Sequence, residues 1–157
     1  MKRLLPVALL GLLLAIAVGC GSTPTEPDDP IADPPGPMTA ADLQFCRDET
    51  NRYRARDGRS AVALSESLSD RSRQAAESDH ASGIPHGYFQ THPVAAENEV
   101  LRWSGTNVRQ TITSALAAFY GEGVSGGHYQ NLMGPYAEVG CGVATSSNAI
   151  TFVQNLR

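Results

Sequence analysis

The chain has no His-Glu-x-x-His segment and no Cys-x-x-Cys pair. The first absence removes the local zinc-protease signature and the second the short-spaced zinc or redox motifs. No serine nucleophile elbow is read: Ser104 is followed by Gly105 but lacks a preceding Gly-x, and Gly123-Val124-Ser125-Gly126-Gly127 has the spacing but lies in a glycine-rich break after a helix, not in a strand-to-helix turn. Gly121 to Gly127 is glycine-rich yet carries no lysine, so it is not a phosphate-binding loop. A basic surplus is also lacking. The net charge is −4, and no basic patch interleaved with aromatics stands out, which argues against nucleic acid as a partner. Cysteine is scarce, with three in 157 residues, at 20, 46 and 141.

What is present begins with a leader. Met1-Lys2-Arg3 is a short basic head, and Leu4 to Val18 is apolar apart from Pro6 and Gly11. That run is shorter than the ~20 residues of a spanning helix and ends in small residues, as a secretion signal does. Ala17-Val18-Gly19-Cys20 resembles the lipobox of bacterial lipoproteins. On that reading residues 1–19 are removed and Cys20 becomes a lipidated first residue; an uncleaved anchor or a free thiol are the alternatives. Residues 20–37 are rich in Pro, Asp, Thr and Ser with one large aliphatic, Ile31, and read as a tether that cannot bury enough apolar surface to order itself. The expected location is the cell envelope, with the lipid in an outer membrane or at the cell surface, since Gly21 and Ser22 lack the Asp of inner-membrane retention.

Residues 38–157 suffice for one modest core. Thr39 with Asp42 caps a helix to Asp57, whose inward face is Leu43, Cys46, Thr50 and Tyr53, with the arginines Arg54 and Arg56 mostly elsewhere. Arg59–Leu64 is an extended connector. A second helix runs Ser65–Ser82, capped by Ser65 and stopped by Gly83. Ile84–Ala96 has no periodicity and reads as a loop. Glu97–Trp103 suits a short strand or an irregular segment. Asn107 opens the clearest amphipathic helix, on Val108, Ile112, Leu116 and Phe119. Tyr136–Ala144 and Ala149–Leu156 alternate as an antiparallel hairpin. Helices first and strands last predict an α+β domain. In an exported chain Cys46 and Cys141 read as one disulfide, stabilising by roughly 2–5 kcal/mol, against the alternative of two buried thiols.

The chemistry-bearing residues are His86, Glu97, Glu122 and His128, on separate segments. Two imidazoles and two carboxylates can hold a divalent ion, exchange protons, or simply brace a cleft, and their spacing does not choose among these. The four histidines include His80 and His92 as well, either of which is an alternative to His86.

An ordered set of short motifs resembles the CAP superfamily, which includes the cysteine-rich secretory, antigen 5 and pathogenesis-related 1 proteins. These motifs are Asn51-x-x-Arg54-x-x-x-Gly58, Glu97-Asn98, Gly127-His128-Tyr129-x-Asn131-Leu132, Val139-Gly140-Cys141-Gly142-Val143 and Val153-Gln154-Asn155. Ala96 stands where many relatives have glycine. The resemblance implies a three-layer α-β-α sandwich with a small central antiparallel sheet. It also implies a cleft of two His and two Glu: His128, Glu97, Glu122 and, by position, His86, with His80 the alternative. It further implies that the two His bind zinc or another divalent metal in some members, and that some members take a small apolar ligand. The expected protein is a monomeric, lipid-anchored SCP-like binding module, partnered by its membrane through Cys20 and by an apolar ligand or an envelope protein. The alternative is a metal-dependent, peptidase-like hydrolase with Glu97 or Glu122 as base. Fold carries over better than activity.

Overall fold

A computed structural model describes residues 38–157. The leader, Cys20 and the tether lie outside those residues. The elements are α1 (Ala40–Arg56), β1 (Ala63–Leu64), α2 (Glu66–Ser82), α3 (Gly87–Thr91), β2 (Ala96–Ser104), α4 (Val108–Gly121), α5 (Gly127–Leu132), β3 (Glu138–Ser146) and β4 (Ala149–Leu156). None of the described helices is long and apolar enough to cross a membrane.

The sheet order is β1-β3-β4-β2. The expected hairpin of β3 and β4 is there, joined by Ser147 and Asn148, and β2 pairs antiparallel with β4. One correction concerns the other edge. Ala63 and Leu64, read as a connector, pair in parallel with Glu138 and Val139, so the sheet is mixed. The pairing is fixed from α1: the Asn51 side-chain amide donates to the Val62 carbonyl at 3.0 Å, and its Oδ1 accepts from the Val62 N–H at 2.8 Å.

Helix α2 covers one face of β3 and β4, while α1, α4 and α5 cover the other, giving three layers. Val139, Cys141 and Val143 point to the α1/α4 side, where the main core gathers around Ile112, Leu116, Phe119, Phe152 and Leu156. A Cys46–Cys141 disulfide joins α1 to β3 there. On the opposite side Gly140 and Gly142 face α2, which is correspondingly rich in small buried residues, Ser69, Ser72, Ala75 and Ala76.

The helix ends follow local chemistry, with two differences. Thr39 and Asp42 form a reciprocal capping box on α1, and Asn107 caps α4 by accepting from the Gln110 N–H at 3.0 Å. Ser65 precedes α2 but its hydroxyl makes no cap, lying instead 3.2 Å from the Ser67 hydroxyl. Arg54, expected off the core face, is 1% exposed. Its guanidinium donates to the carbonyls of Ser60, Leu132 and Gly134, tying α1 to the turn after α5.

Candidate metal centre

Strand β2 is buried from Ala96 to Val100. Alternate strand residues share a face, so Glu97 and Glu99 point the same way. Their side chains are 2% and 1% exposed. Both meet His86. Its Nδ1 lies 3.0 Å from Glu97 Oε1 and 3.8 Å from Glu99 Oε2, and its backbone N–H donates to Glu99 Oε2 at 2.5 Å. That contact requires an unusual backbone. His86 has φ 55, in the left-handed region, and opens the short helix α3. The segment read as a plain loop therefore contains a helical turn. The turn is seated on α2, where buried Asp79 accepts the Tyr88 N–H at 2.8 Å.

The second half of the site comes from the end of α4. Glu122 follows the last helical residue, Gly123 turns the chain at φ 70, and α5 begins at Gly127. His128 Nδ1 lies 2.5 Å from Glu122 Oε1, and the His128 N–H donates to Glu122 Oε2 at 3.0 Å. A Cβ on Gly126 would fall 2.2 Å from Glu122 Cβ, so only glycine admits the carboxylate there. Helix α5 is cross-tied to β2: the Asn131 amide donates to the Glu97 carbonyl at 2.9 Å, and the Asn98 amide to the His128 carbonyl at 3.3 Å. Asn98 also donates to Gln154 Oε1 at 3.0 Å, and Gln154 in turn to Thr50 Oγ1 at 2.7 Å. The Tyr129 hydroxyl donates to Asp57 at 2.6 Å, fastening the outer side of α5 to the end of α1.

These ties set the two imidazoles face to face, with ring centroids 6.2 Å apart, and the His128 ring against Phe119 at 4.7 Å. Four residues named from the sequence, His86, Glu97, Glu122 and His128, thus meet as two His–Glu pairs. The other two histidines sit elsewhere. His80 Nδ1 is 2.9 Å from Thr151 Oγ1, and His92 stacks on Tyr88 at 4.2 Å. Burial, with Arg102 adding, holds the His80 pKa below its ordinary value.

Glu99 is the residue that sequence reasoning missed. Its signal was the i, i+2 spacing from Glu97 in a strand, which places two acids on one face. Burial pushes its carboxyl up to about 7. The hydrogen bond to Glu97, against burial and reinforced by nearby Glu99 and Asp79, holds the His86 pKa above its usual value. The hydrogen bond from His128 holds Glu122 below the ordinary carboxylate range.

An ionised carboxylate only accepts hydrogen bonds, so each His donates from Nδ1 and keeps its Nε2 lone pair for a ligand. Ligand atoms of His86, Glu97 and Glu99 lie within 4.8 Å of one another. Glu99 Oε1 is buried and has no partner among the described residues. Imidazole nitrogen with buried carboxylate oxygen is a donor set suited to zinc and similar ions. The cluster is therefore able to coordinate a divalent metal or a small ligand.

A mixed sheet between helical layers, with a His/carboxylate cleft at the end of one edge strand, defines the class: an α-β-α sandwich with a polar binding site. The model of the cysteine-rich secretory protein family, CAP, matches residues 47–156, and the chain belongs to that family. Among solved structures it resembles NaASP2 with Zn2+ at TM-score 0.60 and 16% identity, covering 76% of this chain and 80% of that one. It also resembles Na-ASP-1 at TM-score 0.60 and 13% identity, covering 74% of this chain but 38% of that one. The chain thus spans well under half of Na-ASP-1. At these identities the likeness concerns the fold. No curated protein matches the sequence.

Proposed function

We propose that this chain is an exported, lipid-anchored binding module whose cleft holds a divalent ion of the zinc class. The carrying observation is that both imidazoles have Nδ1 fixed by a carboxylate, which leaves two Nε2 atoms on facing rings. Glu97 and Glu122 orient His86 and His128 as ligands. Glu99, with its unpartnered buried oxygen, supplies the carboxylate ligand. A bound ion would supply Lewis acidity toward an oxygen of whatever enters the cleft. Cys46 and Cys141 are joined in a disulfide and offer no thiol nucleophile, and binding is the reading put ahead of peptidase-like hydrolysis. NaASP2 was solved with Zn2+, which supports the choice of ion without settling it.

Zinc titration of the metal-stripped chain tests this. Saturable binding is expected in the wild type and its loss in the His86→Ala, His128→Ala double variant. Glu99→Gln should weaken binding by about 10–100-fold. Equal affinity in the wild type and the double variant would sink the metal reading.

The anchor is a separate part of the proposal, resting on Gly19-Cys20 after the apolar leader. Cys20→Ser should move the protein from the membrane to the soluble fraction of its host, while Cys46 and Cys141 stay paired. Continued membrane association would refute lipidation at Cys20.

A further inference from the structure

The end of α1 and the residues just after it carry a run of arginines, Arg52, Arg54, Arg56 and Arg59, and the fold gives them different surroundings. Arg54 is buried, and no carboxylate among the described residues pairs with it. Its Nε donates to the Ser60 carbonyl at 2.9 Å, Nη1 to the Leu132 and Gly134 carbonyls at 2.7 and 3.0 Å, and Nη2 to the Tyr136 carbonyl at 3.4 Å. Carbonyl dipoles satisfy its N–H groups but leave a whole unit of positive charge in place. A buried guanidinium is ordinarily paired with an acid. Here the charged neighbour is another arginine. Arg59 is exposed and forms no ion pair with any described carboxylate. It lies close enough that its like charge, after burial, helps to depress the Arg54 pKa.

Arg54 and Arg59 line one surface cavity of about 320 Å³ together with Gly58, Ser60, Gly134 and Tyr136. None of the lining residues is acidic. The adjacent acid, Asp57, is turned to the hydroxyls of Tyr120 and Tyr129, at 3.2 and 2.6 Å. The cavity is thus concave, cationic and free of competing carboxylate. Ser60 and Tyr136, which line it, carry hydroxyls, groups of a kind that donate to an oxyanion. Two unpaired guanidinia on one cavity repel each other, and an anion between them removes that cost. The cavity is formed by α1's end and the turn after α5, and His86 and Glu97 do not line it.

We propose that this cavity is an oxyanion site that takes a phosphate group, either free or as the headgroup of an anionic lipid. Arg59, which is exposed, is the clamp, and Arg54, fixed by four carbonyls, is the positive floor. Guanidinium suits phosphate because its planar fork donates two parallel hydrogen bonds. The site does not depend on metal in the His/Glu cleft.

The test titrates the full chain carrying Cys20→Ser with inorganic phosphate at low ionic strength and follows backbone amide NMR shifts. Saturable shifts are expected at residues 58–60 and 134–136, and chloride at matched ionic strength should not produce them. Arg59→Gln should raise the dissociation constant about tenfold or more, the loss of one charge-assisted contact. Arg56→Gln removes the same charge outside the cavity and should leave binding unchanged. Tighter binding of a short-chain phosphatidylglycerol, below its micellar concentration, would identify the lipid headgroup as the natural source. Binding of phosphate alone would identify the free ion. Absence of saturable shifts around the cavity, or equal weakening by Arg59→Gln and Arg56→Gln, overturns the proposal.

Discussion

Gly142→Val should leave the domain unfolded at ambient temperature, and Gly140→Val should do the same. A Cβ at 142 would sit 2.1 Å from the Arg73 nitrogen and 2.3 Å from the Ser72 carbonyl carbon. One at 140 would sit 2.1 Å from the Leu68 carbonyl carbon and 2.3 Å from the Ser69 nitrogen. All four atoms are helix backbone, so no side-chain rotation relieves the clash. The whole of α2 would have to lift from β3. Lifting it breaks the buried bond from the Asn155 amide to Ser72 Oγ at 3.0 Å and pulls Asp79 away from the turn that holds His86. Ordinary overpacking costs about 1–3 kcal/mol. Backbone against backbone along a full helix–strand contact should exceed about 4 kcal/mol, a large part of a typical domain's stability of about 5–15 kcal/mol. Far-ultraviolet circular dichroism and urea unfolding measure it. Gly121→Ala is the control, since nothing lies within 4 Å of its Cβ, and it should be neutral or slightly stabilising. A Gly142→Val protein with a wild-type unfolding midpoint would overturn this account of the packing.

The same glycines mark how far the sequence could be read. Val139, Cys141 and Val143 announced a strand and its buried face by alternation. The residues between them looked merely small, because nothing local tells a glycine that saves space for a helix from one that weakens a strand. The caps of α1 and α4 and the β3–β4 hairpin were legible because their signals are local and repeat along many residues. Helices α3 and α5 were not. Five and six residues give no periodicity, and what holds them is tertiary: Glu99 on the His86 N–H, and Asn98 and Asn131 between β2 and α5. The parallel β1 was lost for a similar reason, being two residues pinned by the distant Asn51. In the cleft, four side chains could be named from motif order, yet Glu99 could not. Its importance lies in the left-handed turn at His86 reaching back to it, and that geometry has no signature in one sequence.

Glu99 also sets the expected response to pH. The metal-stripped protein should be less stable near pH 8 than near pH 5, opposite to the usual behaviour of a domain held by ionised carboxylates. The sign follows from proton uptake. Unfolded, Glu99 titrates near 4.5; folded, its burial lifts the carboxyl to about 7. Between those values the folded state keeps a proton that the unfolded chain has released, so stability falls as pH rises. A displacement of that size corresponds to about 3 kcal/mol in all. His86 works in the same sense. Its folded pKa is raised above 6.5, so its contribution is complete below that value and is lost as pH climbs through the folded one. Asp79, raised by burial, adds to the slope at the acid end. His80, held low by burial, works the other way as pH rises toward 6.5 and offsets part of the fall, while Glu122 is lowered, so its contribution is present above 4.5 and is lost only on further acidification, outside this window. Urea unfolding at the two pH values should show the fall in the wild type and most of it removed in Glu99→Gln, which cannot ionise but still offers an acceptor to the His86 N–H. Saturating zinc should reverse the trend, because an ion takes the deprotonated carboxylate and neutral imidazole and its binding therefore tightens as pH rises. Equal stability of the stripped wild type at both values, with Glu99→Gln no different, would show that the Glu99 carboxyl is not held protonated in the fold.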